Sequence, residues 1–298
     1  MNRRQFATGA AFATACSFTR PATSLPHSPR VHASAPFKLS VMLWTVHKEL
    51  PFEQRMEKVA EAGYGSIELV DEFKSWSETE FKRMAARRRA IGLTIDAVAA
   101  VQKGVADPAG TDVYVSYLSE FLDTIEKLEA AGVIVLSGNR IESLSRTAQH
   151  NACVETLKRA GEAAAKRNMT LLFENIDPEE NPQYYLTSVA EGFEIVRKVG
   201  NSHVRLLYDF YHEQISEGNL LKKLQENIDL VGLVHVADVP GRHEPGTGEI
   251  NYTSIFRKLA ELNYDRFAAM EFIPSGDPVA TLRSARDLAL QAGAQLFS

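Results

Sequence analysis

The 298-residue chain has only two cysteines, Cys16 and Cys153, and no apolar run near the roughly 20 residues that span a bilayer. Two cysteines cannot staple a fold, so its stability must come from a buried core. Positive charge is also short: 33 Lys and Arg face 38 Asp and Glu, a formal net charge of −5. That balance disfavours a nucleic acid or an anionic membrane as partner. No G-x-G-x-x-G turn follows the first strand candidate, which argues against a doubly wound dinucleotide-binding sheet. What remains, 45% hydrophobic and 24% charged residues, is the composition of an ordinary globular protein.

The first 35 residues differ from the rest. Met1-Asn-Arg-Arg-Gln-Phe6 precedes a small-residue apolar segment at 7–15, then a Pro-rich stretch ending in Ala33-Ser-Ala35. A basic start, a short apolar core and an A-x-A site describe an export signal rather than a membrane span. The paired Arg3-Arg4 resembles a twin-arginine signal, which implies a periplasmic or secreted protein. Cleavage after Ala35 is the expectation, with lipid attachment at Cys16 as the alternative. Residues 1–35 carry Arg3, Arg4, Arg20 and Arg30 and no acids, so the remaining 263 residues have a formal charge of −9. They keep only Cys153, leaving one sizeable core, or a homo-oligomer of such cores, to hold the fold.

From residue 38 onward, short β-branched runs alternate with longer amphipathic stretches. The spacing predicts strands at 39–46, 66–70, 93–101, 133–137, 170–174, 204–209, 230–238 and 267–272. Helices are predicted at 51–62, 77–91, 113–131, 147–167, 187–199, 219–226, 253–262 and 280–292. Gly63, Gly92, Gly132 and Gly200 fall near helix ends and suit left-handed caps. Most strands are continuous apolar runs, as parallel strands covered on both faces are. Eight such units in about 260 residues fit an α/β fold, a (β/α)8 TIM barrel, as a single domain over 36–298.

In a barrel the C-terminal strand ends share one mouth, where active sites lie. Four apolar runs end there in ionisable groups: Leu-Leu-Phe-Glu174, Leu-Leu-Tyr-Asp209, Leu-Val-His235 and Ala-Ala-Met-Glu271. Their intervals of 35, 26 and 36 residues approximate one strand–helix unit of roughly 31. Three acids so crowded would raise one another's pKa values unless a cation relieved the repulsion. Carboxylates with one imidazole suit one divalent metal ion, Mg²⁺ or Mn²⁺, with Co²⁺ or Zn²⁺ also compatible. His212, three residues past Asp209, is placed to donate to a substrate oxygen, and Arg242 to clamp a substrate carboxylate. Trp44 and Phe272 are candidates for an apolar wall. Asp238, before Pro-Gly, is as well suited to a turn as to chemistry, and Glu68 and Glu180 carry no assignment.

The block Asp238-Val-Pro-Gly-Arg-His-Glu-Pro-Gly-Thr-Gly-Glu-Ile-Asn-Tyr252 resembles the signature of the hydroxypyruvate isomerases, within the xylose isomerase-like barrel superfamily. Glu174, Tyr208-Asp209-Phe-Tyr-His212 and Glu271 fall where that family has matching motifs. The resemblance implies a barrel holding one metal through Glu174, Asp209, His235 and Glu271, with Glu174 and Glu271 exchanging protons with the substrate. It implies interconversion of hydroxypyruvate and tartronate semialdehyde through an enediolate. One departure stands out: His235 occupies a position where bacterial members tend to carry Gln and the related ketose 3-epimerases His. An epimerase or isomerase of sugars is therefore the alternative on the same fold. A secreted sugar-binding protein without turnover is the alternative of another class, and retention of both Glu174 and Glu271 argues against it. A small hydroxy-carbonyl or sugar is the expected partner in the two enzymatic readings.

Overall fold

The computed structural model describes residues 35–99 and 104–294. The expected signal segment, apart from Ala35, lies outside these residues, and so does the end of the third predicted strand at 100 and 101. The described chain runs β1 Lys38–Met42, α1 Phe52–Glu61, β2 Ser66–Leu69, α2 Glu78–Ala90, β3 Thr94–Val98, α3 Thr111–Leu128, β4 Ala130–Leu136 and α4 Arg146–Ala165. It continues with β5 Thr170–Glu174, α5 Val189–Val199, β6 Val204–Asp209, α6 Phe210–Ser216, α7 Leu220–Asn227, β7 Val231–Val236, α8 Tyr252–Glu261, β8 Phe267–Met270 and α9 Pro278–Ala294. Each strand pairs in parallel with its sequence neighbour, and β8 returns to β1, closing the expected eight-stranded barrel. No helix among the described residues is long and apolar enough to cross a membrane.

Local chemistry sets most element ends. Ser77 Oγ accepts from the Glu80 N–H while the Glu80 carboxylate accepts from the Ser77 N–H, a capping box that starts α2. Gly63, Gly92 and Gly200 take the positive φ their helix ends require. The expectation for Gly132 is corrected: Glu129, at φ 55°, caps α3, and Gly132 lies inside β4. There a Cβ would meet Asp96 O and Leu172 Cδ1, each at 2.8 Å, so close approach keeps the glycine. The short helix α6 has no counterpart among the predicted helices; it begins at Phe210, directly after the predicted end of the sixth strand at 209.

Two apolar layers form the core. The larger fills the space between strands and helices. The smaller plugs the barrel with Met42, Ala97, Ile134, Leu172, Leu207, Leu233 and Ala269. Side chains alternate faces along a strand, so the residues two further on from the last four of these also point inward. They are Glu174, Asp209, His235 and Glu271. Register makes this work. Leu206 pairs with Val231 but Leu207 pairs with Leu233, so Gly232 is the extra residue of a bulge in β7. A one-residue slip exchanges the two faces of a strand, and this bulge turns Leu233 and His235 into the barrel. A Cβ on Gly232 would lie 2.6 Å from Leu172 Cδ2 and 2.8 Å from Arg205 Cβ.

Candidate metal centre

The four expected ligands meet. One ligand atom from each of Glu174, Asp209, His235 and Glu271 lies within 4.8 Å of the others, and all four residues are buried. Asp209 pairs directly with His235 across the β6–β7 ladder. Asp209 also caps α6: its Oδ1 accepts from the N–H groups of Tyr211 at 2.7 Å and His212 at 3.1 Å. That capping fixes the carboxylate and leaves Oδ2 facing the cluster. His235 Nδ1 lies 2.8 Å from Glu271 Oε2, 3.2 Å from Glu174 Oε1 and 3.8 Å from Asp209 Oδ2.

Asp209 Oδ2, His235 Nδ1 and Glu271 Oε2 are buried, yet none makes a hydrogen bond of acceptable geometry despite these short separations. Buried polar atoms are rarely left so. Three such atoms converging with a fourth ligand, the Glu174 carboxylate, fit a hard or borderline divalent cation, and the donor set of oxygens with one imidazole suits it.

The surroundings tune these groups unequally. Burial pushes the Glu174 carboxyl upward, opposed by His235 and reinforced by the charges of Glu271 and Asp209. Burial acts the same way on Glu271, but Arg242 and His235 overcome it and hold that carboxyl well below its usual range. Burial disfavours the charged His235 ring, and the Glu271 and Glu68 carboxylates more than offset this, raising its pKa. Two carboxyl groups pushed in opposite directions are the raw material of an acid and a base.

The other expected residues also reach the mouth. His212 Nδ1 lies 2.6 Å from Asp177 Oδ2, leaving Nε2 3.5 Å from both Asp209 Oδ2 and Arg242 Nη1. Arg242 is nearly buried, over the rings of Tyr211 and Trp44 at 4.9 and 5.5 Å. Its Nη2 lies 2.8 Å from Glu271 Oε2. Its Nη1 donates to the Glu180 carboxylate at 2.9 and 3.0 Å.

Several roles were not assigned from sequence. Glu68 receives His235 Nε2 at 3.0 Å. Trp44 is no plain apolar wall, for its Nε1–H donates to Glu271 Oε1 at 2.8 Å. Phe272 does not line the mouth but packs in the outer core. Asp238 is a loop organiser: its carboxylate accepts from the N–H groups of Val239, Gly246, Gly248 and Ile250 at 2.9–3.0 Å. Those bonds shape the loop that carries Arg242. His243 and Glu244 bond outward, to Ile273 O and Ser275.

Residues 56–292 match the family described as xylose isomerase-like TIM barrel. The chain is 30% identical over 259 residues to the 2-oxo-tetronate isomerase of Cupriavidus necator, covering 82% of this chain and 96% of that protein. It is 28% identical over 257 residues to the hydroxypyruvate isomerase of Escherichia coli, covering 83% and 97%. Among solved structures, D-psicose 3-epimerase from Clostridium cellulolyticum superposes with a TM-score of 0.70 at 17% identity, covering 88% of this chain and 97% of that one. That likeness is one of fold.

Proposed function

The chain belongs to the xylose isomerase-like TIM barrel family, and on that premise we propose that it is a divalent-metal-dependent isomerase interconverting hydroxypyruvate and tartronate semialdehyde. The observation that carries this reading is the buried meeting point of Glu174, Asp209, His235 and Glu271. Relatives with isomerase names align along most of their length. A cation held by these four side chains would supply Lewis-acid stabilisation of negative charge on the substrate oxygens.

The protein's own groups do the rest. Isomerising an α-hydroxy carbonyl compound removes a proton from one carbon and returns one to its neighbour, with an enediolate between. Glu271, kept ionised by Arg242 and His235, is suited to accept the first proton. Glu174, whose carboxyl is pushed up by burial, is suited to deliver the second, and the roles exchange in the reverse direction. His212 points Nε2 toward the Asp209–Arg242 edge, where it can donate to an oxygen as it becomes negative. Arg242 already holds a carboxylate, that of Glu180, whose side chain is 41% exposed. A substrate carboxylate can take that place.

The test is conversion of hydroxypyruvate by the purified protein with Mg²⁺ or Mn²⁺, followed by proton NMR. Glu174→Gln and Glu271→Gln should each lower turnover 10²- to 10⁴-fold; full turnover in both would end the two-carboxylate reading. The screen includes 2-oxo-tetronate, named for a relative's activity, and common ketoses. The imidazole at 235 favours a second reading, a ketose 3-epimerase, which predicts turnover of ketoses and none of hydroxypyruvate. We also propose export through the Arg3-Arg4 segment; Arg3→Lys with Arg4→Lys should leave the protein in the cytoplasmic fraction.

A further inference from the structure

At the opposite end of the barrel from the four candidate ligands lies a cavity of about 340 Å³ that the proposed reaction does not use. Its size falls within the roughly 300–1,000 Å³ of small-molecule pockets. Lys38, Arg205, Gly232, Arg266 and Phe267 line it, all at or beside the first residues of strands β1, β6, β7 and β8. Leu172 and Leu233 of the apolar plug also line it, and Glu174 and His235 follow two residues further along the same strands. The cavity and the candidate metal centre thus sit on opposite sides of that plug.

The lining gathers positive charge. Arg205 Nη1 donates to Asp229 O at 2.5 Å, and Arg266 Nη1 donates to Val231 O at 2.7 Å. The two anchoring residues are two positions apart in the chain, which spans at most roughly 7 Å. Gly232 adds no side chain between them: a Cβ there would lie 2.8 Å from Arg205 Cβ and 3.3 Å from its Cδ. The Lys38 N–H donates to Arg266 O at 2.9 Å, and Lys38 Nζ stands 5.3 Å from the centre of the Phe267 ring.

No carboxylate among the described residues pairs with Lys38, Arg205 or Arg266, although Arg55, Arg88 and Arg167 each hold one elsewhere. Two acids share the wall. Ile67 pairs with Ile95 but Glu68 pairs with Ala97, so Asp96 is the extra residue of a second bulge, its side chain turned inward. Its Oδ1 accepts from Ser40 Oγ at 2.6 Å and Ser66 Oγ at 2.7 Å, and Asp265 is exposed. Burial, then the Arg266 charge, lowers the Arg205 pKa, the direction expected of a guanidinium short of negative charge.

We propose that this floor of the barrel binds a phosphate group, free or at the end of a small metabolite, through Arg205 and Arg266, with Lys38 adding charge. Each guanidinium uses one of its five N–H donors on a strand carbonyl, which fixes it before a ligand arrives. The remaining donors form the planar fork that matches phosphate oxygens. Leu172, Leu233 and Phe267 offer apolar surface to a short carbon chain. The proposal is independent of the cation reading.

The test is titration of inorganic phosphate into chelator-treated protein by calorimetry, with ionic strength held constant by chloride. Arg242→Gln is included because Arg242, at the other end of the barrel, can also take an anion. Saturable binding is expected in wild type and in Arg242→Gln, with affinity 10- to 100-fold weaker in Arg205→Gln and in Arg266→Gln. Glycerol 3-phosphate separates the sources: tighter binding than inorganic phosphate assigns a metabolite, and equal or weaker binding assigns the free ion. Absence of saturable binding in wild type, loss of it in Arg242→Gln, or full affinity in both floor variants overturns the proposal. Should those variants fail to fold, phenylglyoxal labelling of wild type decides. Millimolar phosphate should protect Arg205 and Arg266, read by peptide mass spectrometry, and unprotected arginines at both positions overturn the site.

Discussion

Glu271 is held from two sides. Trp44 Nε1–H donates to Oε1 at 2.8 Å, while Arg242 Nη2 stands 2.8 Å from Oε2. A carboxylate that must receive a proton from carbon has to keep its orientation through the transfer, and the indole supplies that at low entropic cost. Trp44→Phe preserves the ring packing and removes the donor. A hydrogen bond to a charged group is worth roughly 1.5–3 kcal/mol. The expected loss in kcat/KM is therefore roughly 10- to 100-fold, with the melting temperature little changed; unaltered kinetics would show that Arg242 alone aligns Glu271. His212 offers a pH test. Burial opposes its charged form, but Asp209 and Asp177 prevail over burial and over Arg242, and the pKa is pushed up to about 9 from 6.5. A folded pKa above the unfolded one contributes stability in full below about pH 6.5 and loses it as pH rises through 9. The ceiling is roughly 3 kcal/mol. Metal-free wild type should lose its advantage over His212→Gln between pH 6.5 and 9; a gap independent of pH would contradict the ion pair.

The site depends on how individual strands are set into the barrel. The Gly232 bulge turns His235 inward, and it is crowded by Leu172 and Arg205. Gly232→Ala must displace one of them, at roughly 1–3 kcal/mol. The shift should weaken Mn²⁺ binding as well as stability, by calorimetry and thermal melts; lost stability with unchanged affinity would show that the bulge tolerates the methyl. Bulges also mark where sequence reading stops. Glu174, Asp209, His235 and Glu271 were legible because each ends its own apolar run, and local alternation decides its face. Glu68 was not, because its partner His235 is 167 residues away and meets it only across the closed barrel. Asp96 is an ordinary strand residue until one extra position in β3 turns it toward Ser40 and Ser66. Helix α6 was missed because seven residues show too little periodicity, and its cap, Asp209, also read as a ligand. Asp238 stayed ambiguous for the same reason: one carboxylate suits a turn or a site, and only its four backbone donors settle which.

At the level of the whole molecule, the four candidate ligands come from β5, β6, β7 and the residue directly after β8, at the ends of four adjacent staves of the barrel. The folded protein has thus brought three acids together against their mutual repulsion, offset by His235, Arg242 and, beside Asp209, His212. A cation bound there would tie those four strands at once and exist only in the folded state, so its binding energy adds to stability. With free metal at 100 times Kd the gain is about 2.7 kcal/mol. At roughly 2–4 °C per kcal/mol for a domain of this size, the melting temperature should rise by about 5–10 °C on adding Mn²⁺ to chelator-treated protein. Asp209→Asn should abolish most of that rise, and its effect need not parallel its effect on the metal-free protein, because Asn can still cap α6. A wild type whose melting temperature ignores millimolar Mn²⁺, Mg²⁺, Co²⁺ and Zn²⁺ alike would mean that the arginine and histidine, not an ion, are the permanent partners of these acids.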